Sequence, residues 1–302
     1  MLSFLTSTIG LDAVAGHEGA KTLLRQTAAA LRQGRLDVVP MGFLICGPVG
    51  TGKSFIVRCF AAEIGIPVVE LLNFRSMWQG QTEANLERIL GLLDALGPVA
   101  AVVDEADAAL GNRERGRGGG GDSGVSQRVF GALAAFMGDT RRRGKVIWFL
   151  MTSRPDLVPV DLKRQGRAEE HIALFPPSTA EERALVFESL RARLNIPLEH
   201  GVQAAALFNS VPHPMSPADI EAVLVRASRR IAIEQKPALS GALLQDLIAD
   251  FQPPGYPVEI EYQRLIAALE CTSRQLLPPD LARLTQATIA ERLSELRAIM
   301  GK

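Results

Sequence analysis

The chain has 302 residues, 47% of them hydrophobic and 22% charged, the balance of a folded protein with a substantial core. Its 33 Lys and Arg are matched by 33 Asp and Glu, and zero net charge argues against a nucleic-acid binder that works by bulk attraction. Three cysteines (Cys46, Cys59, Cys271) with no CxxC pair argue against a disulfide framework or a cysteine-rich zinc site, and they fit reduced thiols in a cytosol. No apolar run approaches the ~20 residues needed to cross a bilayer. The first residues, MLSFLTSTIGLD, lack the basic start and long apolar stretch of a secretory signal.

Good helix formers predict a helix over 18–31. The apolar run Gly42–Cys46 ends in Gly-Pro, as a buried strand does. Helix and strand then alternate: helix 53–64, strand 67–71, helix 82–96, strand 99–103, helix 125–137, strand 146–151. Continuous apolar strands between helices predict a parallel sheet covered on both faces. The glycine-rich stretch 111–124 reads as a solvated, flexible insertion. After Phe175-Pro176-Pro177, Ser178 or Thr179 can cap a helix with Glu181 and Glu182 in its first turn. No strand is obvious from there to Asp250. The expected architecture is α/β: a nucleotide-binding domain over 1–177, a helical lid over 178–250 and a helical extension over 251–302. The last helix carries Ile289, Leu293, Leu296 and Met300 at helical spacing, a stripe expected to pack on the lid.

Two motifs carry chemistry. Gly47-Pro48-Val49-Gly50-Thr51-Gly52-Lys53-Ser54 matches GxxxxGK[ST] between a predicted strand and a helix. Its backbone N–H groups can face phosphates, Lys53 adds charge at the β- and γ-phosphates, and the Ser54 hydroxyl can ligate Mg²⁺. At the end of the strand Val99–Val103 stands Asp104-Glu105, where Asp104 can hold Mg²⁺ and Glu105 can activate the attacking water. Together they predict a hydrolase that acts on a nucleoside triphosphate rather than a nucleotide-binding scaffold. The four histidines are scattered without ligand spacing, so no metal beyond Mg²⁺ is expected.

Over residues 11–250 the sequence resembles the AAA+ ATPases, and within them the AAA clade. Asp12-Ala13-Val14-Ala15-Gly16-His17-Glu18-Gly19-Ala20-Lys21 is similar to the entry segment of membrane-bound AAA proteases. Ser76-Met77-Trp78-Gln79-Gly80-Gln81-Thr82-Glu83-Ala84-Asn85 is similar to the central-pore loop and following helix of valosin-containing-protein-type unfoldases. Thr152-Ser153-Arg154-Pro155-Asp156, Arg164-Gln165-Gly166-Arg167 and Ser216-Pro217-Ala218-Asp219-Ile220 follow in family order. The resemblance implies that Ala15, Gly16 and Ala218 lie near the adenine. It implies that Ser153 senses the phosphate, and that Arg164 and Arg167 reach a neighbouring subunit's nucleotide in a homo-oligomeric ring, commonly a hexamer. Met77, Trp78 and Gln79 would grip a protein substrate in the pore.

The implied function is ATP-driven remodelling or unfolding of a protein. The alternative is a nucleotide-state switch that controls docking or assembly of a protein partner without threading. Ser153 stands for the family's sensor Asn and has a shorter reach. Pro217 replaces a lid Gly and removes an N–H. The chain is expected to lack both the adaptor-binding N-domain and the HExxH metalloprotease of relatives. Arg113, Arg115 and Arg117 of the glycine-rich stretch could touch an acidic substrate segment, and a nucleic-acid role for them is weaker.

Overall fold

The computed structural model describes residues 2–71, 82–110, 123–209, 211, 214–253 and 255–301. Strands β1 (Leu2–Phe4), β2 (Gly42–Cys46), β3 (Val68–Leu71), β4 (Val99–Val103), β5 (Val146–Thr152) and β6 (Glu170–Ala173) form one sheet in the order β1-β3-β4-β5-β2-β6. β1 is antiparallel to its neighbour and the other pairings are parallel. Every residue of β2, β4 and β5 is buried, which is why these strands read as unbroken apolar runs. Their side chains alternate between two cores. Phe43 and Ile45 point to the face covered by α1 (Glu18–Arg32) and α2 (Lys53–Ala61), where Phe43 stacks on Phe149 at 4.9 Å between ring centres. Leu44 and Cys46 point to the other, covered by α3 (Thr82–Ala95), α4 (Ala106–Leu110) and α5 (Ser123–Met137).

After α6 (Val160–Lys163) and β6 come the helices α7 (Ala180–Arg193), α8 (Ala204–Phe208), α9 (Pro217–Glu234) and α10 (Gly241–Asp250). They bury a core of their own around Phe187, Phe208, Val223 and Leu244. Thr179 caps α7 through a reciprocal pair with Glu182, and Ser216 caps α9 through the same device with Asp219. Pro217 is the first residue of α9, where its missing N–H costs nothing.

The C-terminal helices α11 (Pro257–Glu270), α12 (Pro279–Ala282) and α13 (Gln286–Ile299) depart from expectation. Ile289, Leu293 and Leu296 do not pack on the helical bundle. They share a core with Leu44, Val103, Trp148 and Leu150 of the sheet, together with Tyr262, Leu265 and Ile266 of α11. The reason is that α11 lies against β6 and the turn after β5, and α13 stacks on α11. Seven large side chains from this segment (Tyr262, Leu265, Ile266, Leu281, Ile289, Leu293, Leu296) are almost fully buried. At about 1.5–3 kcal/mol each, their loss is comparable to a domain's whole stability of ~5–15 kcal/mol. Truncation after Asp250 is therefore expected to yield insoluble protein or to abolish the cooperative melting transition seen by circular dichroism. A soluble truncated chain with the parent's melting curve would show that the sheet does not need this cover.

Candidate nucleotide site

The loop 47–52 leaves the buried end of β2 and enters α2. Gly47 is obligatory: at φ +141° a Cβ there would lie 2.1 Å from the Leu174 carbonyl oxygen. Gly50 (φ +79°) meets the helical bundle, where a Cβ would fall 2.8 Å from Ser216 Oγ and 3.2 Å from the Ala218 Cβ. The Ala218 N–H donates to the Gly50 carbonyl at 3.3 Å, so the start of α9 sits directly on the loop. Thr51 Oγ1 donates to the Pro48 carbonyl at 2.9 Å. Lys53 Nζ donates to the Gly47 and Pro48 carbonyls at 2.8 and 2.9 Å. Burial lowers the Lys53 pKa to about 8, so this is an ammonium short of partners strong enough to compensate its desolvation.

Ser54 Oγ donates to Asp104 Oδ2 at 2.9 Å, which joins the first turn of α2 to the end of β4. Glu105 follows with a left-handed backbone (φ +49°), uncommon for a residue other than glycine. Its N–H donates to Asp104 Oδ1 at 2.8 Å, and its carbonyl accepts the N–H groups of Ala108 and Ala109. The Glu105 side chain is left exposed. From β5, Thr152 Oγ1 donates to Asp107 Oδ1 at 2.6 Å and accepts the Arg154 N–H at 2.8 Å. Sequence reasoning named Ser153, which is half-buried next to this bond, and missed the Thr152–Asp107 link.

A cavity of about 280 Å³ lies where the segment before α1, the start of the helical bundle and the C-terminal segment meet, and none of residues 47–54 lines it. Ala15, Gly16 and His17 line it on one side, Ser178, Glu182, Val186 and Pro217 on another, and Gln275, Leu276, Leu277, Pro278 and Pro279 on a third. Ala173 and Phe175 also line it, and Leu174 between them bonds to the Cys46 carbonyl at 2.8 Å, immediately before Gly47. Burial and the Lys21 charge lower the His17 pKa to about 4, so burial favours its neutral imidazole. The contribution of residues 275–279 carried no sequence signal.

Arg164 and Arg167 are placed differently from one another. Both precede β6, whose first residue, Glu170, pairs with Phe43 near the start of β2. The loop 47–52 lies at the other end of β2, about 13 Å away at ~3.3 Å per residue. Arg164 is exposed, 58% by its side chain, with a weak contact to Asp161 Oδ1 at 3.3 Å. Arg167 turns inward: Nη1 donates to the Asp161 carbonyl and Nε is buried without a hydrogen-bond partner. Burial and the neighbouring Arg164 charge lower its pKa. The turn is held by Glu169, which accepts from Gly166 N at 3.1 Å and pairs with Arg143 at 2.6 Å. Met77, Trp78 and Gln79 lie outside the described residues, as does nearly all of the glycine-rich stretch.

On β6, His171 faces only acceptors. Nδ1 is 2.8 Å from the Glu270 carbonyl and 3.4 Å from Glu270 Oε2, and Nε2 is 2.9 and 3.0 Å from the Lys163 and Ala168 carbonyls. Burial pulls its pKa down, but the bonds to Glu270 outweigh burial and hold it above the usual value. Lys163 Nζ, the other charge facing this group, pairs with Glu270. A folded pKa above the unfolded one gives stability that is complete below the ordinary value of about 6.5 and is lost as pH rises through the folded value. The melting temperature of the parent is expected to fall more than that of His171→Gln between about pH 6 and 8.5. Equal falls would remove the imidazolium from this contact.

Among the described residues, no helix is long and apolar enough to cross a membrane. Residues 43–175 match the family described as "ATPase family associated with various cellular activities (AAA)". The chain is 28% identical to Protein SAV of Sulfolobus acidocaldarius over 219 residues, 69% of this chain and 27% of that protein. It is 28% identical over 248 residues to the ATP-dependent zinc metalloprotease FtsH 1 of Sphaerobacter thermophilus, 80% of this chain and 37% of that protein. With the Cell division cycle protein 48 homolog of Archaeoglobus fulgidus it shares 32% identity over 209 residues, 67% of this chain and 27% of that one. The chain thus spans only 27% to 37% of the length of these relatives.

Proposed function

The chain carries an AAA+ ATPase domain, and from that premise we propose that it hydrolyses ATP with Mg²⁺ in a homo-oligomeric ring, a hexamer, and remodels or unfolds a protein substrate through the pore. The observation that carries the ATPase reading is the Ser54–Asp104 hydrogen bond, which joins the first turn of α2, where Lys53 stands, to the end of β4 that Glu105 follows. Ser54 Oγ and Asp104 Oδ2 are hard oxygen donors of the kind Mg²⁺ takes, so the residues fit that ion. When bound, it supplies charge to the β- and γ-phosphate oxygens. Lys53 exchanges its two carbonyl partners for phosphate oxygens. Glu105 accepts a proton from the attacking water as the water oxygen bonds to the γ-phosphorus and the bond to the β-phosphate oxygen breaks, giving ADP and phosphate. The words "ATP-dependent" in the name of the FtsH 1 relative support ATP as the nucleotide.

In this reading residues 1–177 are the nucleotide-binding domain and 178–250 the lid, whose first contact with the loop is the Ala218–Gly50 hydrogen bond. Hydrolysis moves the lid against the large domain and drives Met77, Trp78 and Gln79 along a central axis. The chain works in the cytoplasm. ATP turnover measured with and without a permanently unfolded polypeptide tests the remodelling arm. Stimulation by the polypeptide is expected in the parent, with its loss in Trp78→Ala. Stimulation that survives Trp78→Ala would turn the reading toward the partner-docking switch.

A further inference from the structure

We propose that Gln263, on α11, is a positioning residue of the phosphate-binding loop, and that the segment 257–279 is thereby part of the nucleotide site. This rests on the ATP-binding reading above. Gln263 is only 5% exposed, and a buried amide is costly unless its polar atoms are bonded. Its Oε1 accepts the Val49 N–H at 3.0 Å, across 214 residues of sequence, while its Nε2 makes only a long contact of 3.5 Å with Glu259. The Val49 side chain is half exposed, so packing does not hold this peptide. It also stands between Gly47 and Gly50, both at positive φ, where the chain turns sharply. The hydrogen bond that Val49 donates to Gln263 is what orients it.

The helix that offers this oxygen is rigid. Tyr262, beside Gln263, is 1% exposed. Its hydroxyl donates to Asp156 Oδ2 at 2.9 Å and accepts from Arg297 Nε and Nη2 at 3.1 Å each. The Arg154 guanidinium, paired with Asp156, lies 4.9 Å from the ring centre. So α11 is keyed at once to the phosphate loop and to the segment following β5, and a few residues further on the chain forms one wall of the cavity. Loop order set before nucleotide arrives lowers the cost of binding and acts equally on ground and transition states.

Gln263→Met keeps the length and removes the oxygen acceptor. One such hydrogen bond is worth a factor of about 3 to 10. The variant is expected to raise KM for ATP, and the Kd of a fluorescent ATP analogue, by about that factor, with kcat within about twofold of the parent. An unchanged KM, or a fall in kcat at constant KM, overturns the proposal. Should the variant fold poorly, amide exchange in the nucleotide-free parent decides: the Val49 N–H is expected to exchange slowly despite its exposed side chain, and fast exchange overturns the proposal. A parent that binds no nucleotide refutes the ATPase reading. A parent that binds ATP, with a variant that binds it equally well, refutes this inference alone.

Discussion

Glu105→Gln is expected to bind ATP as the parent does and to hydrolyse it about 10²–10⁴-fold more slowly, the usual contribution of a positioned general base. The substitution keeps the volume and the backbone. The Glu105 N–H bond to Asp104 and its carbonyl's bonds to Ala108 and Ala109 do not involve the side chain, so the left-handed turn survives. What is lost is the proposed proton acceptor. Lys53→Ala is the contrasting control, because it removes the loop's cation and should abolish binding itself. Equilibrium binding of radiolabelled ATP, followed by a single-turnover assay, separates the two. Turnover at the parent rate in Glu105→Gln would remove Glu105 from the reaction.

The second large effect concerns Arg164. It follows α6, in the segment that leads into β6, whose first residue pairs near the end of β2 opposite the phosphate loop, and its exposed guanidinium is held only loosely by Asp161. In the proposed ring a charge so placed would serve a neighbour's nucleotide. An arginine finger is worth about 10³–10⁵ in rate, so Arg164→Ala should nearly silence hydrolysis while leaving ATP binding intact. Arg167, folded against Asp161 and Gly138, is expected to act differently: Arg167→Ala should first lower the melting temperature, because the turn around it is built on that contact. Subunit mixing tests the shared site. Chains with Lys53→Ala and chains with Arg164→Ala should each be inactive, and mixed rings should regain activity where an intact arginine meets an intact loop. With exchange confirmed by a labelled subunit, a mixture that stays inactive would make the pocket self-contained.

The phosphate loop, the acidic pair after β4 and the alternation of buried strands with helices were legible because each is written in consecutive residues. A glycine pattern, a carboxylate at a strand end and an unbroken apolar run need no distant partner to be recognised. The cap of α7 belongs to the same class, since Thr179 and Glu182 stand three apart. The short strand β6 was not legible. Only four residues long and begun by Glu170 and His171, it is a strand because β2 offers it a free edge.

What the sequence by itself determined is therefore the local chemistry and the α/β class of the fold. Only the tertiary structure decided that Ile289, Leu293 and Leu296 cover the sheet rather than the helical bundle, since an amphipathic stripe states that a face must be buried and not against what. It alone separated Arg164 from Arg167, identical in type and three apart, by turning one outward and one into the turn. It alone brought Gln263 to Val49 and Tyr262 to Asp156, contacts spanning 214 and 106 residues. A single hydrogen bond between distant residues leaves no periodicity and no spacing to read. It exists because the packing of α11 on the sheet places a donor and an acceptor within 3.0 Å, and burial then makes that bond costly to lose.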